Sequence, residues 1–175
     1  MNEYPGDYKY VVSWEEFRFL PGVKPALKRL TDAGCRIFVV SNQAGVAKGI
    51  FTRRSLDDIT GRMLRELKDA GAEISGVYYC THREEDNCSC RKPKTGLIDL
   101  ALNDLKTKYP VANSPLDCFF IGDTIRDIQT GKTAGCKTVL VFSGKEKSEN
   151  RVNWTSQPDF IATDLSKAAD LILSL

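Results

Sequence analysis

Apolar residues recur along this chain with two alternating periods. Val23, Ala26, Leu27, Leu30 and Ala33 fall three or four apart, and Gly34 follows them. That spacing predicts a helix with one apolar face, stopped by a glycine in the left-handed C′ position. Residues 35–40 are then almost continuously apolar, which predicts a strand buried on both faces. The alternation repeats. Thr52 is placed to N-cap a second helix that turns Leu56, Ile59, Met63, Leu67 and Ala70 inward and stops at Gly71. Gly61 in its middle costs about 1 kcal/mol against alanine. A short strand over 77–79 leads into a polar loop. A helix over 95–108 carries Leu97, Ile98, Ala101, Leu102 and Leu105.

The second half continues the pattern. A proline-containing loop over 109–117 precedes a strand at 118–121, a helix over 125–134 and a strand at 137–142. A polar loop over 143–158, a short strand at 159–162 and a helix over 165–173 complete the chain. Residues 1–20 are aromatic-rich and irregular, with turn signals at Pro5-Gly6 and Pro21-Gly22. Apolar strands alternating with helices predict an α/β fold with a parallel sheet. The length, 175 residues, suits one domain spanning 1–175.

In open parallel sheets the ligand crevice lies at the C-terminal strand ends, and three polar clusters fall there. Ser41-Asn42-Gln43 follows the strand at 35–40, Lys92 follows the loop after 77–79, and Asp123 follows 118–121. A hydroxyl, backbone amides and a lysine suit a phosphate. A carboxylate beside phosphate needs a hard cation between them, and Mg²⁺ fits. Asp127, one helical turn beyond Asp123, is placed to order that site from behind. Taken singly, Ser41 also reads as a strand-end cap, Lys92 as a solvated charge and Asp123 as a helix N-cap.

The loop between residues 80 and 94 holds Cys80, His82, Cys88 and Cys90, followed at once by Arg91, Lys92 and Lys94. Four zinc-type ligands in eleven residues predict a structural Zn²⁺ site that stiffens the basic pair behind it. The spacings are tighter than the usual C-x₂₋₄-C, and a loop of free thiols is the other reading. His82 is the sole histidine. Cys35, Cys118 and Cys136 lie in or beside apolar segments and read as core thiols. No disulfide framework remains, which points to a reducing cytoplasm.

Composition excludes other classes. A net charge of +2 gives no basic stripe for nucleic acid. No apolar run approaches the roughly 20 residues of a membrane span, and the polar N-terminus has no signal-peptide core. Gly131-Lys132-Thr133 imitates the end of a Walker A loop. The first glycine of that motif would fall at Arg126, and the tripeptide closes a helix instead of opening one. The residues supply no covalent nucleophile. His82 is committed to metal, and Asp7 follows no apolar run.

Residues 41–49, 80–93 and 120–135 resemble the haloacid-dehalogenase (HAD) phosphatases. Within them they are most similar to the branch acting on D-glycero-D-manno-heptose 1,7-bisphosphate and on histidinol phosphate. The resemblance implies a capless Rossmann-like fold with helices on both faces. It implies a Mg²⁺-dependent hydrolase that removes the 7-phosphate of the heptose bisphosphate, with histidinol phosphate as the alternative substrate. Ser41 would hold the transferring phosphoryl group, and Asn42, Gln43 and Ala44 would line the substrate. Arg91 would recognise it, Lys92 would stabilise phosphoryl charge and Asp123 would bind Mg²⁺. The partner is a small phosphorylated sugar, and the protein a monomer. The heptose enzymes often carry a lysine after that Asp, where this chain has Thr124. The family also opens with a central strand ending in Asp-x-Asp, nucleophile and acid/base, which this sequence lacks. The expectation is an inactive chain that starts late, with its first strand missing. The alternative is a non-catalytic phosphosugar-binding remnant.

Overall fold

The computed structural model describes residues 1–3, 10–109 and 118–175. Pro5-Gly6, Asp7 and most of the expected 109–117 loop lie outside them. The chain divides into two units, Met1–Cys88 and Ser89–Leu175.

In the first unit, α1 (Val23–Asp32) buries Val23, Ala26, Leu27 and Leu30, the face its spacing predicts. Gly34 follows at φ 82°, a region open to glycine at no steric cost. In α2 (Arg53–Asp69), the Thr52 hydroxyl accepts the Ser55 amide at 3.0 Å, and Leu56, Ile59, Met63 and Leu67 are buried. Strand β1 (Ile37–Asn42) pairs in parallel with β2 (Ile74–Cys80). Trp14–Glu16 forms a 3₁₀ turn, and Phe17 stacks on Trp14 and meets Phe19 edge-on. Asn2 bridges to Phe19 in antiparallel fashion.

In the second unit, α3 (Gly96–Lys108) buries Leu97, Ile98 and Ala101. Strands β3 (Phe119–Gly122), β4 (Lys137–Val141) and β5 (Phe160–Ala162) form a parallel sheet in that order. Helix α4 (Ile125–Thr133) joins the first two of these strands, and α5 (Leu165–Leu173) ends the chain. Within the polar 143–158 loop, Ser148–Asn153 forms a 3₁₀ turn. Val139, Val141, Ala162 and Ala168 make the centre of this core, with Phe119, Ile121 and Phe160 against it.

Three sequence expectations are corrected. The strands at 35–40 and 118–121 were expected to be buried on both faces, yet β1 and β3 are half-buried throughout. The cause is pairing. Among the described residues each has one strand neighbour, whereas β4 lies between two and buries every residue after Lys137. The strand at 35–40 also runs two residues later than expected, because pairing with β2 continues through Ser41 and Asn42. Of the three expected core thiols, Cys136 is buried, while Cys35 and Cys118 are half-buried. Burial first, then the neighbouring Cys118, pushes the Cys136 thiol up to about 11, so it packs as an inert small hydrophobe. The Gly131-Lys132-Thr133 tripeptide spans the end of α4, as predicted. A Cβ at Gly131 would stand 2.7 Å from Phe120 Cβ, so the glycine serves close packing.

One polar latch ties β5 to β4. Asp159 Oδ2 accepts the Thr138 amide at 2.8 Å and its hydroxyl at 2.7 Å. The Asp159 amide donates back to Thr138 Oγ1 at 3.1 Å. Burial pushes the Asp159 carboxyl up, but the Thr138 bonds and the Lys132 ammonium outweigh it and hold the group below its ordinary value. A depressed carboxyl contributes stability above its unfolded value, and that stability is lost as the pH falls through the folded one. The group is well exposed, so the effect is modest. Asp159→Asn is expected to lower unfolding free energy by about 1 kcal/mol at neutral pH. In urea titrations the gap to wild type should narrow as the pH falls below the ordinary aspartate value of about 3.9. A gap that persists undiminished in acid would show that the latch does not depend on the charge.

Candidate active site and metal-binding loop

Ser41 and Asn42 are the last residues of β1, opposite Tyr79 and Cys80. Gln43 extends the ladder, donating its amide to Cys80 O at 2.7 Å. The Gln43 side chain then donates to Ser41 Oγ at 3.2 Å, which orients that hydroxyl. Ala44 is buried and opens a tight turn closed by Val46 N–H to Gln43 O and Lys48 N–H to Ala44 O. A Cβ at Gly45 would fall 2.2 Å from Phe51 Cε1, so the turn packs directly on that ring. Four backbone positions with one hydroxyl thus stand at a strand's C-terminal end, the place the sequence predicts for ligand.

Beyond β2 the chain enters the Cys/His loop. The ligand atoms of Cys80, His82, Cys88 and Cys90 all lie within 4.8 Å of one another. Cys80 Sγ is 3.6 Å from Cys88 Sγ and 3.7 Å from His82 Nδ1. A tetrahedral zinc site with bonds of about 2.3 Å to sulfur has edges of about 3.8 Å, so the donor set fits Zn²⁺ in type, number and spacing. Cys80 is fully buried. Asp86 Oδ2 accepts the Arg83 amide, and the Arg83 guanidinium grips Ala47 O at 2.8 and 3.1 Å. Asn87 takes a left-handed φ of 46°, which asparagine tolerates well.

After the loop, Lys94 N–H closes a turn onto Arg91 O, and Gly96 N–H donates to Ser89 O. A Cβ at Gly96 would stand 2.8 Å from Ser89 O. Only a glycine lets α3 begin so close to the backbone before Arg91 and Lys92. Arg91 and Lys92 are both half-buried. Sequence reasoning passed over Gly96; the signal for it is a glycine directly before an apolar helical run.

The Lys92 ammonium donates to Asp127 Oδ1 at 2.6 Å, and the two side chains are only 15% and 7% exposed. The other oxygen, Asp127 Oδ2, accepts the Thr124 hydroxyl at 2.7 Å and the Thr124 amide at 3.1 Å. Thr124 Oγ1 in turn accepts the Asp127 amide, completing a capping box at the start of α4. The helix N-cap is therefore Thr124. The alternative reading of Asp123 as that cap is corrected, because the chain turns one residue later. Asp127 spends both oxygens on Lys92 and Thr124.

Asp123 is held separately. Its Oδ2 accepts the Lys145 amide at 3.0 Å, and its carbonyl accepts the Glu146 amide. A Cβ at Gly144 would fall 2.1 Å from Asp123 Oδ2. Its Oδ1 makes no hydrogen bond among the described residues. A half-buried carboxylate with one oxygen anchored suits Mg²⁺, which takes one or two carboxylates and completes its shell with water and phosphate oxygens. The 143–146 turn, a plain polar loop by sequence, anchors that carboxylate. Ser41, Asn42, Gln43 and Ala44 belong to the first unit. Lys92, Asp123 and Asp127 belong to the second, where the structure pairs Lys92 with Asp127.

Comparison with known proteins identifies the family. The HAD-hydrolase-like family model matches residues 89–168. The D-glycero-beta-D-manno-heptose-1,7-bisphosphate 7-phosphatase of Haemophilus ducreyi is 35% identical, over 96% of this chain and 86% of its own. That of Pasteurella multocida is 32% identical over 97% and 91%. The crystal structure of D,D-heptose 1,7-bisphosphate phosphatase from B. bronchiseptica, complexed with magnesium and phosphate, superposes with a TM-score of 0.83 at 30% identity. It covers 97% of this chain and 90% of that one. With an α/β fold of parallel sheets, a lysine held by a buried aspartate and relatives aligned along nearly its whole length, the chain belongs to the HAD phosphatases.

Proposed function

We propose that this chain carries the phosphosugar site of a Mg²⁺-dependent phosphomonoester hydrolase. Its ligand is D-glycero-D-manno-heptose 1,7-bisphosphate and the 7-phosphate is the group addressed. The observation that carries the reading is the Lys92 ammonium fixed to buried Asp127. A lysine held this way stands at one point, and a fixed charge stabilises developing phosphoryl charge without reorganising. In this reading Ser41 is a phosphate-binding hydroxyl, and Asn42, Gln43 and Ala44 are the sugar-lining residues. Arg91 presents a planar fork to the remote phosphate.

Asp123 is the residue that would hold Mg²⁺, with Asp127 behind it holding Lys92. When bound, the ion offsets repulsion between carboxylate and phosphate. Zn²⁺ on Cys80, His82, Cys88 and Cys90 would tie the loop that carries Arg91 and Lys92. Its thiolates need a reducing compartment such as the cytoplasm. The sequence holds no Asp-x-Asp pair. The named residues therefore bind, orient and stabilise, and the 175-residue chain is expected to recognise phosphosugars with negligible turnover.

Three measurements test this. Protein purified under reducing conditions without chelator should contain one zinc per chain, and Cys88→Ser should lose it. Zinc-free wild-type protein would sink the metal assignment. In calorimetry with Mg²⁺, the heptose bisphosphate should bind more tightly than histidinol phosphate, and the reverse order would move the substrate to the second branch. Enzyme-like phosphate release from either would end the expectation of negligible turnover. Arg91 and Lys92 should separate in the same assay. Arg91→Ala is expected to weaken the bisphosphate by about 10- to 100-fold, the worth of one charge-assisted contact, while sparing inorganic phosphate. Lys92→Ala should weaken both ligands, and identical profiles for the two variants would contradict these roles.

A further inference from the structure

Asp127 directs Lys92 only if its carboxylate is fixed, and two features of the structure fix it in different ways. Gly122 prevents translation. A Cβ there would fall 2.2 Å from Asp127 Cβ and 2.7 Å from its Cγ, so the aspartate side chain lies directly against the end of β3. That contact leaves rotation about the Cβ–Cγ bond open, and such terminal torsions are broad in aspartate. Rotation would swing Oδ1 away from Lys92. Thr124 closes that freedom, because its hydroxyl and its amide both donate to Oδ2, at 2.7 and 3.1 Å. The carboxylate plane is then set, and Oδ1 faces Lys92 Nζ at 2.6 Å. Asp127 is 5% exposed, so solvent is poorly placed to replace a lost hydroxyl.

We propose that Thr124 is a positioning residue for Lys92. Its hydroxyl locks the Asp127 carboxylate, and the locked carboxylate holds the ammonium in the direction of the bound phosphoryl group. For the identity of the anion this rests on the phosphate reading above. The chain Thr124–Asp127–Lys92 stands on geometry alone. The same hydroxyl caps α4, so a purely structural role is the competing account, and the two diverge in what happens at Lys92.

The test uses the full chain with three substitutions. Thr124→Val keeps the side-chain shape without the hydroxyl. Thr124→Gly removes the hydroxyl while keeping a residue that helix N-termini accept. Thr124→Ser keeps both donor and cap. The first readout is the rate at which an amine-acylating reagent labels Lys92, measured by peptide mass spectrometry and divided by the rate at Lys24. Lys24 is also ion-paired, to Glu66, so general loosening raises both rates. The second readout is the dissociation constant for inorganic phosphate at fixed ionic strength. The Val and Gly variants are expected to raise the labelling ratio at least fivefold and to weaken phosphate about tenfold. The Ser variant should stay within twofold of wild type in both. If either hydroxyl-free variant folds and leaves the ratio within twofold of wild type, the proposal is overturned. If wild type itself fails to bind inorganic phosphate, the phosphate reading falls, and the labelling ratio still decides the role of Thr124. Should the Val variant not fold, the Gly and Ser pair carries the same decision.

Discussion

The second unit depends on a charge that cannot be left alone. Asp127 is almost fully buried at the start of α4, and an unpaired carboxylate there would cost several kcal/mol. The fold meets this with Lys92 on one oxygen and Thr124 on the other. Each partner imposes a demand elsewhere. The pair needs a glycine at 122, since any Cβ there would overlap the aspartate. It needs a threonine that both donates and accepts at the helix N-terminus. It needs the segment after Cys90 to deliver a lysine within 2.6 Å. A hydrophobic pair of similar volume would often be as stable, so retaining the ions makes most sense where the ammonium has work to do.

The Cys/His loop addresses the third demand. A loop of charged residues such as Glu84, Glu85 and Asp86 buries little apolar surface and would otherwise pay ordering entropy without return. Four metal-type donors lie within 4.8 Å of one another, and with zinc bound they would replace a hydrophobic core with a handful of strong bonds. Gly96 then lets α3 start against the loop backbone at Ser89. Lys92 sits on the short stretch between the last metal donor and this helix, so its backbone is constrained from both ends.

Much of this was legible in the sequence, and the reasons are local. The apolar faces of α1 and α2 follow from 3.6-residue spacing, and every residue they bury is one that spacing names, while Ala33 and Ala70, also named by it, cap the helix ends exposed and half-buried. Gly34, Gly71 and Gly135 stop helices with positive φ as their positions suggest. The metal loop was visible because its donors are adjacent in sequence. What escaped was set by pairing and close approach. Burial of β1 and β3 was overestimated because apolar content does not report how many strand neighbours a segment has. The bonds of Asp127 to Thr124 and to a lysine 35 residues away leave no mark in local spacing. The 143–146 turn carried no periodic signal, since its role is a missing Cβ at Gly144 and a backbone amide at Lys145.

Two aspartates four residues apart end up with different chemistry because their donors differ. Asp127 accepts from an ammonium and a hydroxyl, so its charge is matched inside the protein. Asp123 accepts on Oδ2 from the neutral amide of Lys145. That bond orients the carboxylate without cancelling its charge. Had Thr124 alone faced Asp127, the buried charge would be unmatched and the helix start would carry its cost. One turn of helix separates a carboxylate anchored by a backbone amide from one paired with an ammonium of the chain, and the division follows from hydrogen-bond donors, not from any difference between the side chains.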